Sequence, residues 1–392
     1  MLSLNPDLYA GQAVLLDELR AEIEGSPRQG ESLAELTAQD LLDGKVHDWE
    51  GVRAVFLNNF RLFEQLLFRL HFKRKAVLSE ASRSDVLKFL AIGYFYARDV
   101  RYFNEFLHFK GEGSRYWLLM VQMFFGNLDQ NSYHSFPLCS RGEMDAFLQE
   151  ASKALEPYES VEPDTSLRVG LLGSPTFFKQ VRAQLKAKGF KVNCYFIPFH
   201  PDKKINFLLK NPLTFLLLRL LKGGMFKFKR LNADYKSPEI RDALTSESLD
   251  IGFHKLGFII KNNIISPFKT GLINDHWAIL PFIRGLSTIQ YSLLLGAPIA
   301  ATAHFVEETV DSGGIIKIYR YDNLAQKYST VAGVRNHIRA ERDFRAIDSV
   351  VTLAKTRKAM IENPADQGLM FYSIHPVLEA FIESHLLKAS SC

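Results

Sequence analysis

The chain has 392 residues, of which 47% are hydrophobic and 23% charged. A single core rarely grows beyond about 250–300 residues, so two domains are expected, and this balance excludes a disordered chain. The net charge of +5 permits anionic ligands but falls short of the basic footprint of a dedicated nucleic-acid binder, so no specific nucleic acid is expected. Cys139, Cys194 and Cys392 have neither metal nor disulfide spacing and fit a reducing compartment. The start, Met-Leu-Ser-Leu-Asn-Pro-Asp, lacks the basic and apolar regions of a signal peptide. The longest apolar run, Leu213 to Leu221, contains Arg219 and is too short to span a bilayer. The expected location is cytoplasmic.

Residues 1 to about 160 predict helices. Leu33–Leu42, Val52–Phe72, Ser84–Phe109 and Tyr116–Phe125 carry apolar residues at three- and four-residue spacing. Phe56, Phe60, Phe63 and Leu67 form one stripe and Phe95, Val100, Phe103 and Phe106 another, and both read as core. Asp99, Arg101 and Asn104 lie between these aromatics, where a solvated helix face accounts for them. This helical region could shape an acceptor pocket, mediate homodimerisation or hold a protein partner, and its residues do not choose among these.

The polar, Pro-bearing stretch from Glu156 to Ser166 marks a domain boundary. After it the period changes. Leu167–Leu172 reads as a strand, Gly173-Ser174-Pro175 as a turn, Phe177–Lys188 as a helix ended by Gly189, and Val192–Pro198 as a second strand. Such a unit opens a parallel α/β sheet, with ligands expected at the strand C-termini. Residues 201–230 are apolar and carry Lys203, Lys204, Lys210, Arg219, Lys222, Lys227, Lys229 and Arg230. A helix packed on the sheet with snorkelling lysines is the favoured reading, and peripheral contact with an anionic membrane surface or a grip on a phosphorylated substrate are the competing ones. Strand–helix alternation resumes through Ile251, Gly271 and Ala301, and from about residue 333 the pattern is helical to the end.

The stretch from Gly271 to Ile316 carries the chemistry. Asn274 and His276 stand at alternate positions of a strand end and project from one face, while Asp275 points the other way and is structural or solvated. Thr302 and His304 follow on a second strand, and Asp311 lies just beyond in Val-Asp-Ser-Gly. An amide, an imidazole and a carboxylate are the parts needed to move an acyl group onto an amine. No pair of histidines with a carboxylate has ligand spacing, so no metal is expected.

In order and spacing, Asn274-x-His276, Leu280-Pro281, Arg284-Gly285, Thr302-x-His304 and Val310-Asp-Ser-Gly-Gly-Ile-Ile316 resemble the catalytic core of the folate-dependent formyltransferases. That family includes glycinamide ribonucleotide, methionyl-tRNA and sugar-amine formyltransferases. Gly173-Ser174-Pro175 resembles its first strand–turn, and Leu256-Gly257-Phe258-Ile259 its folate-binding loop, whose backbone reads the pteridine ring. Three departures stand out. Trp277-Ala278 replaces the usual Pro-Ser, Ala300 stands where Gly is common, and segment 201–230 is longer than the family needs. The resemblance implies an α/β, Rossmann-like parallel-sheet formyltransferase domain over 167–330. An all-α domain over 1–160 precedes it and a helical extension over 331–392 follows.

The resemblance also implies roles. Formyl transfer passes through a tetrahedral species with negative charge on the former carbonyl oxygen. Asn274 would donate to that oxygen, a contact typically worth about 2.7–4 kcal/mol. His276 would help hold it and handle protons, and Asp311 would order a water and relay the amine's proton. Arg284, Gly285, Thr302, His304 and Ser174 would support the site or the substrate, with His304 and His254 held in local hydrogen bonds. The implied co-substrate is 10-formyltetrahydrofolate, and the implied acceptor is a primary amine on a small, nucleotide-linked metabolite such as an amino-sugar nucleotide. The competing functions are a 10-formyltetrahydrofolate hydrolase, a methionyl-tRNA formyltransferase-like enzyme, and a non-catalytic folate- or membrane-surface-binding protein.

Overall fold

The computed structural model describes residues 60–80, 82–97, 99–114, 116–117, 120–121, 124, 141–173, 175–197, 229–231, 235, 237–364 and 368–387. The chain forms two compact units, one from residues 1–138, 293–297 and 369–386, the other from 139–292, 298–368 and 387–392.

The first unit holds Phe60–Phe72 (α1), Arg74–Glu80 (α2), Arg83–Ala97 (α3) and Val100–His108 (α4). Phe63, Leu67, Leu70, Leu90, Phe103 and Phe106 are buried, as apolar residues at helical spacing require. The single helical run expected over 84–109 is cut at Asp99. That residue is extended and its Oδ1 accepts from Arg101 N at 2.9 Å, an N-cap that starts α4 anew.

The solvated face expected at Asp99, Arg101 and Asn104 is not there, because all three are buried. Arg101 Nη2 lies 2.6 Å from Asp99 Oδ2, and its Nη1 lies 2.7 Å from Glu64 Oε1 and donates to Met370 O at 3.1 Å. Asn104 Nδ2 donates to Ser373 O at 3.2 Å, and its Oδ1 accepts from His375 N at 2.8 Å. These polar groups fasten a distant stretch of the same unit, 370–375, onto α4. A single helix pattern carries no sign of that partner.

The second unit contains Arg141–Lys153 (α5), Arg168–Leu172 (β1), Pro175–Ala187 (α6), Lys191–Phe196 (β2), Lys229–Arg230 (β3), Pro238–Thr245 (α7), Ile251–His254 (β4), Asn262–Ile265 (α8) and Gly271–His276 (β5). It continues with Ile283–Gly285 (β6), Ala300–Phe305 (β7), Ile315–Arg320 (β8), Val331–Ala340 (α9) and Arg342–Thr356 (α10). Seven strands form one sheet in the order β3-β2-β1-β4-β5-β7-β8. The pairs from β3 through β5 are parallel, and β7 and β8 add antiparallel to that edge. The result is a mixed, parallel-dominated α/β sheet.

Both faces of the sheet are covered, which is why β1 reads as a nearly continuous apolar run. On one face α6 and α10 bury Phe178, Val181, Leu185, Ile347, Val350 and Leu353 against Val169, Leu171, Ile251, Phe253 and Ile273. On the other, α7 and α8 bring Ile240, Leu244 and Ile264 onto Leu172, Tyr195 and Leu272. Helix α10 therefore belongs to the sheet's core. After it, Leu369–Phe371 is a strand where only helix was expected, since three residues are too few to show a period. Of segment 201–230, only Lys229 and Arg230 lie among the described residues, as edge strand β3. Among the described residues no helix is long and apolar enough to cross a membrane.

A deeply buried ion pair ties the sheet to a helix. Asp275, at the end of β5, accepts from Arg345 of α10, Nε to Oδ1 at 2.8 Å and Nη2 to Oδ2 at 2.6 Å. Arg345 is 1% and Asp275 6% exposed. Removing one partner of such a pair leaves a buried charge uncompensated, typically at a cost of about 3–5 kcal/mol. Arg345→Ala is therefore expected to lower unfolding free energy by about that much. A loss below about 1 kcal/mol in denaturant titration would mean that water reaches Asp275.

Candidate active site

The site lies where β5 meets β7. Their antiparallel register sets Asn274 opposite His304 and His276 opposite Thr302. Directly opposed side chains in such a pair are in contact range, so four residues from two strands share one face. Asp275, between the two site residues of β5, takes the other face and its Arg345 partner.

Hydrogen bonds fix the ring states. His304 Nδ1 lies 2.7 Å from Phe305 O, a carbonyl that can only accept, so Nδ1 carries the proton. Its Nε2 then accepts from Asn274 Nδ2 at 3.1 Å. That bond aims the Asn274 amide and leaves its second N–H for another acceptor. Burial, reinforced by nearby His276, pushes the His304 pKa down to about 4, so the ring is neutral at neutral pH despite the opposing pull of Asp311. His254, at the end of β4, is pushed down to about 3 by burial and by His304, and its Nδ1 accepts from Leu256 N at 3.3 Å.

His276 Nε2 donates to Ile283 O at 2.9 Å, which turns Nδ1 towards Asp311 Oδ2 at 3.4 Å. Asp311 Oδ2 also accepts from Gly285 N at 3.0 Å, while Oδ1 stands 3.7 Å from His304 Nε2. Burial alone would raise the Asp311 carboxyl. His276 and His304, the Gly285 N–H and Arg284 outweigh it and hold the group below its ordinary value. Asn274, His276, His304 and Asp311 are thus brought together as an amide donor, two imidazoles and an ionised carboxylate around one spot.

The support around this spot is buried. Thr302 is fully buried, donates from Oγ1 to Ala278 O at 2.7 Å, and accepts from Leu280 N at 3.3 Å. It thereby shapes the turn that carries Trp277-Ala278. Trp277 Nε1 donates to Asp275 Oδ2 at 3.0 Å, and Trp277 O accepts from Thr288 Oγ1 at 2.8 Å. Arg284 is 3% exposed and donates to Pro281 O at 3.2 Å, to Asn363 Oδ1 at 2.9 Å and to Pro364 O.

Asn363 in turn donates to Asp311 O at 2.9 Å and to Gly313 O at 2.8 Å. Asp311 itself has φ +53°, the left-handed region, so its backbone needs this clamp. A side chain at Gly313 would collide with the Phe305 carbonyl. A cavity of about 530 Å³ beside Asp311 is lined by Glu307, Thr309, Ser312, Gly314, Ile361 and Asn363.

The loop after β4 carries the other expected contacts. Leu256 and Phe258 are partly buried against the core, Gly257 is exposed with open space around it, and Ile259 is 63% exposed. Phe258 meets Tyr235 with ring centres 4.4 Å apart. Ser174 lies outside the described residues. At the start of this loop the Lys255 pKa is pushed down to about 8 by burial and then by Arg342 and Arg339.

Sequence reasoning did not single out Asn363, Thr288 or Arg345. Asn363-Pro364 is a turn signal, but nothing local indicates that the turn reaches back 52 residues to Asp311.

Residues 169–339, which supply the sheet and Asn274, His276, Arg284, Gly285, Thr302, His304 and Asp311, match the formyl transferase family model. This segment is a formyltransferase-family domain. A methionyl-tRNA formyltransferase of Elusimicrobium minutum is 25% identical over 146 residues, 35% of this chain and 43% of that protein. A second, from Finegoldia magna, is 38% identical over 63 residues, 16% of this chain and 20% of that protein. The chain spans less than half the length of these curated relatives. A 4-N formyltransferase structure from Francisella tularensis aligns over 58% of this chain and 90% of its own, at 16% identity and a TM-score of 0.40.

The neutral rings give the domain a pH signature. The folded pKa values of His304 and His254, about 4 and about 3, lie below the ordinary 6.5, so the unfolded chain binds more protons between them. Their contribution to stability is complete above pH 6.5 and is lost progressively as pH falls through 6.5 towards 4. Tm is expected to drop by several degrees between about pH 7 and pH 5. His304→Gln should flatten that slope, whereas an unchanged slope would mean that the ring is already charged in the folded state.

Proposed function

We propose that the α/β unit is an N-formyltransferase that takes the formyl group of 10-formyltetrahydrofolate and delivers it to a primary amine. The observation that carries this reading is the joint placement of Asn274, His276 and Asp311 with the hydrogen bonds that fix their donors and acceptors. The co-substrate supplies a formyl group on N10. The loop 256–259, at a strand C-terminus beside His254, offers partly apolar side chains and an open glycine to a flat ring.

In this reading the amine nitrogen bonds to the formyl carbon, the carbon–N10 bond breaks, and the proton lost by the amine ends on N10. Asn274 donates its second amide N–H to the formyl oxygen as negative charge grows there. Asp311, held ionised, receives the amine's proton directly or through a water. His276 Nδ1, 3.4 Å away, is the group with which that proton is shared on its way. His304 is a positioning residue that orients the Asn274 amide. Arg284, Gly285, Thr302 and Asn363 hold the turns.

For the acceptor we propose a small phosphorylated or nucleotide-linked amine. Its support is the grouping of Lys255 with Arg342 and Arg339, whose charges, after burial, lower the Lys255 pKa against the opposing pull of Asp343 and Asp275, and which suits an anionic group.

The test is tetrahydrofolate release from 10-formyltetrahydrofolate, with and without a panel of amino-sugar nucleotides and simple amines. Release is expected to require one acceptor class. His276→Ala and Asp311→Ala should each lower turnover by orders of magnitude while leaving the fold intact. Amine-independent release would replace this reading with a hydrolase, and near-normal rates in either variant would remove the mechanism. Asn274→Ala should reduce kcat by about 10²–10³ with little change in acceptor KM, as expected for a contact made to developing charge. An effect confined to KM would assign Asn274 to binding instead.

A further inference from the structure

Outside the α/β unit, α1 and α4 bring together three side chains that the proposed chemistry does not use. His71 stands in the last turn of α1, and Glu105 and His108 lie one turn apart on α4, where positions i and i+3 share a face. One potential ligand atom from each lies within 4.8 Å of the others. We propose that His71, Glu105 and His108 form a binding site for a divalent first-row transition ion, with Zn²⁺ the best match to two imidazoles and a carboxylate.

The strongest support is the carboxylate. Glu105 is fully buried, and its Oε1 accepts from His71 Nδ1 at 2.8 Å and from Asn104 Nδ2 at 3.0 Å. Its Oε2 is buried and has no hydrogen-bond partner among the described residues. A buried carboxylate oxygen without a donor is costly, and a cation beside it removes that cost. The His71–Glu105 pair alone therefore does not explain the cluster, because it satisfies only one of the two oxygens.

His108 is set up as a ligand. His108 Nε2 lies 3.0 Å from Ser373 O, and a carbonyl can only accept, so Nε2 carries the proton and Nδ1 keeps its lone pair. A metal-binding histidine commonly gives its other N–H to a backbone carbonyl in this way. The His71 ring is 10% exposed and stacks on Tyr372, with centres 5.0 Å apart and planes 17° apart. Glu-x-x-His on one helix facing a ligand on another is also how helical bundles build metal centres in their cores. Ligand atoms around a tetrahedral Zn²⁺ stand roughly 3.3 Å apart for bonds of about 2.0 Å, so small side-chain shifts close the site. Three protein ligands leave a fourth position for water or a partner group. His71 lies 34 residues before Glu105, a separation that no linear metal motif marks.

The test uses the full chain, stripped with a chelator and titrated with Zn²⁺ alone, with bound metal counted after gel filtration. One equivalent is expected to bind to the wild type. Glu105→Gln and His108→Ala should each weaken it by at least about 100-fold. Circular dichroism controls for folding, and if Glu105→Gln unfolds, His108→Ala decides alone because its ring is partly exposed. Co²⁺ in place of Zn²⁺ should give the visible absorption of a low-coordinate site in the wild type, lost in the variant. No saturable Zn²⁺ binding, or binding unchanged in the folded variants, would overturn the proposal. Neither readout depends on formyl transfer, so the two readings fail separately.

Discussion

Asp275 and Arg345 divide the end of β5 into two functions. Strand alternation forces the residue between Asn274 and His276 to point away from them, and that residue is a carboxylate. Left alone on the packed face it would be an unpaired buried charge, or it would recruit water beneath the site. The bidentate contact from α10 neutralises it and binds the helix to the strand at the point where the chemistry-bearing face begins. Trp277 adds its indole N–H to the same carboxylate, so the first residue after the strand is also anchored from behind. The front of the strand can then present an amide and an imidazole without competition from a third polar group.

The front face follows the same economy. Each polar atom is given one role by a neighbour that can act only as donor or only as acceptor. Phe305 O fixes His304, His304 fixes Asn274, Ile283 O fixes His276, and the Gly285 amide fixes Asp311. Such a chain determines tautomers without any bound ligand, and a preorganised environment of this kind is what electrostatic catalysis requires. The helical unit uses related logic at Arg101, whose fork joins Asp99, Glu64 and a main-chain carbonyl from residue 370.

Much of this was legible in the sequence because its signals are local. The change of period near residue 167, the strand–turn–helix–strand opening and the alternation of Asn274 with His276 need only neighbours within a few residues. Other features had no local signal. Asn104 looks like surface because a helix pattern does not reveal what packs against it, and the carbonyl of Ser373 to which it donates lies some 270 residues away. The short strand Leu369–Phe371 has too few residues to display a period. Asn363 reads as a simple turn residue until its amide is seen on the carbonyls of Asp311 and Gly313. Ser174 and most of 201–230 lie outside the described residues, so those readings gain no structural account.

The Asn363 clamp bears on how this domain can be rebuilt. Asp311 sits in a left-handed backbone conformation that its own neighbours do not enforce; the amide of Asn363 and the guanidinium of Arg284 hold the loop from outside. The contiguous stretch from Gly271 to Ile316 carries Asn274, His276, His304 and Asp311, yet it is not a transplantable cassette. Moved into a related scaffold without residues 361–364, it would keep the Gly285 contact to the Asp311 carboxylate but lose the hold on the Asp311 and Gly313 carbonyls that shapes the loop. A chimera would have to exchange the two segments as one piece.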